Sequence, residues 1–134
     1  MKRMLISVFL ICIGSAEIVY AGSNLLTVME AESLARSAAA PSGVTKLEGF
    51  TLEPGNVNGF PNFYFFTAYV AVRGAQGSSG NYAVDKFTGE VWNPYGCSRF
   101  SNPRLVELQR ELRKKLGLTL QKYQQHKRDN PCLV

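Results

Sequence analysis

The sequence predicts an α+β domain, in which an N-terminal helix packs on a three- to four-stranded antiparallel sheet and one or two helices follow. Three observations carry this expectation. A capping box at Thr27 opens an alanine-rich amphipathic stretch, an aromatic and β-branched run fills residues 63–72, and Leu105, Leu108, Leu112 and Leu116 recur at helical spacing. Helix, strands and helices in that order segregate the two kinds of element, as α+β domains do. The 134 residues, 46% of them hydrophobic and 19% charged, suit one globular domain and exclude a disordered tail or a collagen-like rod. No apolar run beyond residue 21 is long enough for a multi-span membrane protein.

The first 21 residues read as a secretory signal peptide. Lys2 and Arg3 precede an apolar run through Ile13, and small residues surround an expected cut after Ala21. The run is short for a ~30 Å hydrocarbon core and Glu17 interrupts it, which favours cleavage over an uncleaved anchor. Ile11 stands where a lipoprotein signal requires a small residue before Cys12. The expected organisation is a signal peptide over residues 1–21 and one domain over 22–134, its last part (about 99–134) a basic helical extension, located in the periplasm or outside the cell.

The element order follows from local chemistry. Thr27 and Glu30 form the capping box, Ala31, Leu34, Ala35 and Ala38 share one face, and Glu32 and Arg36 pair on the other. Pro41-Ser42-Gly43 stops this helix. Residues 44–52 predict a first strand with Gly49 as a bulge, and Pro54 to Gly59 a loop. Residues 63–72 carry apolar groups on both alternating faces, which predicts a central strand covered on two sides. Gly74 to Gly80 reads as a flexible Gly-Ser turn, followed by a hairpin whose arms, 81–85 and 90–92, flank the turn Lys86-Phe87-Thr88-Gly89. Asn102-Pro103 starts the second helix and Gly117 ends it. Thr119 caps a third helix reaching about Lys127.

Charge is unevenly distributed. Residues 22–98 hold four bases and six acids, whereas 99–134 hold nine bases and three acids. The basic end suits an acidic protein or an anionic membrane surface, or is simply a solvated helix face; export makes nucleic acid the poorest partner. Two cysteines follow the signal, Cys97 and Cys132, and in an oxidising compartment they read as one disulfide, within one chain or between two. As metal ligands they lack a third partner, since His126 is the only histidine. No cofactor is expected.

No catalytic constellation emerges. His126 lies far in sequence from Asp85 and Glu90, Ser78 and Ser79 have no strand-turn-helix elbow around them, and Gly74, Gly77 and Gly80 precede no helix that would hold a phosphate. Asp85 and Glu90 read as hydrophilic hairpin ends. Surfaces remain: the aromatic loop Phe60 to Tyr64 and the Gly-Ser turn at 74–80 as two loops at strand ends suited to gripping another protein, with Phe60 and Tyr64 as anchors or as parts of the core, and the cluster Arg110, Arg113, Lys114 and Lys115 as a complement to carboxylates.

The segment Tyr82-Ala83-Val84-Asp85-Lys86-Phe87-Thr88-Gly89-Glu90-Val91-Trp92 resembles the Y-x-V-D-x-x-T-G-E-V hairpin of PepSY-like and related cystatin-like exported domains. The architecture is also similar to that of small periplasmic immunity proteins, which neutralise antibacterial toxins such as those of type VI secretion. The resemblance covers roughly residues 27–92, and after Trp92 the chain departs from it. It implies a non-enzymatic binding or inhibitory domain whose partner is a toxin or envelope hydrolase, with no catalytic residues to carry over. The competing classes are an envelope-associated structural or anionic-surface-binding module that uses the basic helix, and an enzyme acting through Asp85, Glu90 or His126.

Overall fold

The computed structural model describes residues 24–127 and 131–132; the expected signal peptide lies outside the described residues. Helix α1 spans Val28–Ala39, with the capping box formed as expected: Glu30 N–H donates to Thr27 Oγ1, and Thr27 N–H donates to the Glu30 carboxylate at 2.9 Å. A 3-10 turn at Ala40–Ser42 runs into Gly43, and the chain leaves the helix there.

Five strands follow, β1 (Thr51–Gly55), β2 (Phe63–Val72), β3 (Ala75–Asp85), β4 (Val91–Asn93) and β5 (Ser98–Arg99). All neighbours are antiparallel, in the order β1-β2-β3-β4-β5. Helices α2 (Pro103–Lys115) and α3 (Leu120–His126) follow, capped by Asn102 and Thr119. The α+β class, the three helices and the β3–β4 hairpin thus appear as the sequence predicts, with one strand more, since Ser98–Arg99 joins the sheet before the helical extension begins.

Three local expectations are corrected. The first strand is not residues 44–52. Val44–Lys46 forms a second 3-10 turn, and β1 begins only at Thr51, so that Gly49 belongs to the approach to the strand rather than to a bulge within it. Gly49 packs so closely on β2 that a Cβ there would meet the Ala71 Cβ at 3.1 Å. Pro54 and Gly55, expected in a loop, lie in β1, an edge strand where a residue without an N–H is tolerated. The third correction is the largest: the Gly-Ser stretch is no turn. It is the first half of β3, and the reversal is confined to Arg73 and Gly74, both at positive φ (48° and 78°), as tight two-residue hairpins require.

The principal core lies between α1 and the sheet. Ala31 and Ala35 are wholly buried, and their small side chains let the helix approach Phe66, Ala68, Val84 and Val91 closely, while Leu34 fills the space between. Leu105 of α2 enters the same core, with Leu108, Leu112 and Leu116 packed at its margin. On the opposite face Phe63, Phe65 and Ala83 are covered by Val57, Phe60 and Trp92. Strand β2 is therefore covered on both sides at its start, and the second cover is the loop before it.

Candidate functional site

The sequence-selected anchors do not form one patch. Phe60 packs edge-on against Phe63 and Phe65, with centroids 6.5 and 6.0 Å apart, in the smaller core. Tyr64 faces the other side of the sheet, where its hydroxyl donates to the Leu26 carbonyl at 2.9 Å and the Lys86 ammonium lies 4.7 Å from its ring centroid. The basic cluster on α2 is likewise divided. Arg113 Nε donates to the Thr88 carbonyl at 2.7 Å while its guanidinium lies over the Tyr123 ring, and Lys115 Nζ reaches Glu30 Oε1 at 2.6 Å. Arg110 and Lys114 remain exposed.

The two C-terminal helices close over the 85–90 turn, which is where the reading of Asp85 and Glu90 as hydrophilic hairpin ends is corrected. Asp85, Thr88 and Glu90 are buried, at 2%, 1% and 3% exposure. Asp85 Oδ1 accepts from the amides of Phe87 (2.7 Å) and Thr88 (2.8 Å), which fixes the turn. Gly89 has φ 70°, and a Cβ there would meet Leu34 Cδ1 at 3.1 Å. Its carbonyl accepts from Gln109 Nε2 at 2.8 Å. Glu90 Oε1 accepts from Arg99 at 2.6 Å and from the Tyr123 hydroxyl, so one carboxylate joins the sheet, β5 and α3. His126 stacks on Phe87 at 4.2 Å.

The shifts in this region all run upward, for different reasons. Burial raises the Asp85 pKa, against the turn amides that favour its charged form. Burial also raises that of the Tyr123 phenol, reinforced by the Glu90 carboxylate, and the hydrogen bond to Glu90 raises that of Arg99. Chemically, the arrangement holds helices in place. Asp85 is bonded to its own turn, Glu90 to Arg99 and Tyr123, and His126 is stacked on an aromatic ring, so the three are engaged in three separate contacts. Among the described residues no group of three or more His, Cys, Asp or Glu is placed to hold a metal ion. Cys97 and Cys132 are joined in one chain, with Cα atoms 5.1 Å apart, which ties the chain end beyond α3 to the β4–β5 loop.

A groove that sequence reasoning did not find runs between α1 and α2. The helices are antiparallel: Asn102 Nδ2 donates to the Ser37 carbonyl (3.1 Å) at one end, and Lys115 meets Glu30 at the other. Near Lys115 a cavity of about 300 Å³ is lined by Leu34, Leu108 and Leu112 together with Glu30 and Glu111. The groove widens to about 770 Å³ at the opposite end, where Arg36, Lys46 and Arg104 line it and, among the described residues, no acidic residue does. These three cations come from α1, a 3-10 turn and α2, so only the packing of the helices brings them together.

No family model matches the chain, and no curated protein does. Among solved structures, it is similar to a chain of a type VI secretion system effector-immunity complex from Pseudomonas protegens, with a TM-score of 0.63 and 22% sequence identity over 77% of this chain and 87% of that one. The two chains share a fold.

Proposed function

We propose that this protein is a non-enzymatic binding protein that neutralises another protein, an immunity protein against a secreted antibacterial toxin or hydrolase. The observation that carries the reading is the fold shared with a chain of an effector-immunity complex, over most of both chains. Asp85, Glu90 and His126 are engaged in fixing the turn and docking α3, which favours surface recognition as the chemistry on offer. The finer reading is an exported protein acting in the envelope after loss of residues 1–21, and the Cys97–Cys132 bond suits such an oxidising compartment.

The test pairs the chain with the toxin encoded beside its gene. Co-expression should restore growth to cells intoxicated in the periplasm, and the two purified proteins should elute together at one-to-one stoichiometry. Failure of both the rescue and the co-elution refutes the reading. A second reading, an anionic-surface module, rests on the exposed Arg110 and Lys114. It predicts salt-sensitive sedimentation with phosphatidylglycerol vesicles that Arg110→Glu/Lys114→Glu abolishes.

A further inference from the structure

We propose that the wide end of the α1–α2 groove is the docking site for an acidic segment of the protein partner, with Asp or Glu carboxylates seated among Arg36, Lys46 and Arg104. The inference rests on the neutralisation reading and names the chemistry its partner presents there. Charge complementarity is the first argument. Among the described residues three cations and no anion line this cavity, whereas the narrow end of the same groove carries Glu30 and Glu111 beside Lys115. Two of the cations have partners on their own helices, Arg36 with Glu32 (3.0 Å) and Arg104 with Glu107 (2.7 Å). These pairs are exposed surface contacts of little net worth, so an incoming carboxylate can exchange with them or join them. Lys46 donates its amide to the Gly43 carbonyl, but its ammonium has no hydrogen bond or ion pair among the described residues.

The second argument is the start of α2. Its first turn holds Arg104 and no acidic residue, although the helix dipole disfavours a cation there. An arrangement that costs stability locally yet gathers positive charge at a cavity fits the binding of an anionic group. The third is Ser37, which lines the same cavity, is nine-tenths buried, and has a hydroxyl without a hydrogen-bond partner among the described residues. Buried hydroxyls are normally satisfied, and this orphan beside a basic cavity is a donor that rotation of its side chain would offer to a carboxylate.

The probe is a capped hexaglutamate peptide titrated into the ¹⁵N-labelled oxidised full chain at pH 7, with capped hexalysine as the control. Saturable amide shifts are expected at Ser37, Lys46, Asn102 and Arg104, with none from hexalysine. Lys46→Glu/Arg104→Glu should weaken the peptide at least tenfold while preserving the fold, because the new Glu in the first turn of α2 suits the helix dipole. Ser37→Ala should weaken it two- to fivefold and Arg110→Glu/Lys114→Glu less than twofold. Shifts centred on Arg110 and Lys114, no saturable response, or groove-dependent binding of phosphatidylglycerol vesicles alone would overturn the site. A toxin that binds wild type and Lys46→Glu/Arg104→Glu equally removes this site and leaves the neutralisation reading standing. Conversely, hexaglutamate binding at the groove by a chain that neutralises no toxin removes that reading and leaves the site.

Discussion

Replacing Glu90 with alanine should uncouple α3 from the sheet, at a cost that follows from its contacts. The carboxylate accepts from Arg99 and from Tyr123, and hydrogen bonds to a charged group contribute about 1.5–3 kcal/mol each. The Arg99 side chain is 46% exposed, so water replaces much of what it loses and its bond counts at the lower end. Relief of the carboxylate's own desolvation offsets part of the remainder. The expected net loss is about 3 kcal/mol, at the foot of the range for a buried pair deprived of one partner. With a urea m-value of about 1.5 kcal/mol/M, this lowers the midpoint of the oxidised chain by about 2 M. Tyr123→Phe alone should cost about 1.5 kcal/mol, and the double variant less than the sum by about 1 kcal/mol, because both changes remove the same bond. Amide exchange in α3 should accelerate in Glu90→Ala more than exchange in α1. A midpoint shift under 0.5 M, or strictly additive single variants, would refute the account of Glu90 as the tie between hairpin and helix.

Cys97→Ser/Cys132→Ser opens a loop spanning 35 positions and should destabilise the chain by about 4 kcal/mol in the chain-entropy picture; urea melts of oxidised and reduced wild type measure the same quantity. Gly89→Ala should cost about 3 kcal/mol, since positive φ is joined by contact with Leu34, while Gly74→Ala, also at positive φ but with open space around it, should cost only about 1 kcal/mol; equal losses would show that the Leu34 contact is immaterial. Asp85 holds its proton more tightly when folded, so its contribution falls as pH rises above the ordinary carboxylate value and through its raised folded value. Asp85→Asn should therefore gain on wild type across that interval in pH-dependent urea melts. Glu30 has the opposite sign. The Lys115 ammonium lowers its pKa, so its contribution is complete above the ordinary value and lost as pH falls through the lowered one, a dependence that Lys115→Ala should reduce.

The helices were legible because their signals are local. Thr27, Asn102 and Thr119 each accept from an amide three residues on, a contact written within four consecutive residues. The sheet was less so. Ala75 to Gly80 is a strand whose side chains contribute little; it is held by pairing with β2, and no residue within the segment reports that partner. The turn chemistry sat two residues earlier, at Arg73-Gly74. At the candidate site the failure has another cause. Asp85 and Glu90 look like solvated ends until α2 and α3 are laid over them, and the cations of the groove lie ten and fifty-eight positions apart along the chain before the helices pack.

The Cys97–Cys132 bond also governs how the chain responds to proteolysis. The link between α2 and α3 is exposed at Gly117 and Thr119, a reasonable place for a protease to cut. A nick there leaves the α3 fragment covalently attached to the rest, held close enough for Tyr123 to return to Glu90. In a reducing environment the same nick releases the fragment, so a single cut is survivable in one compartment and terminal in the other.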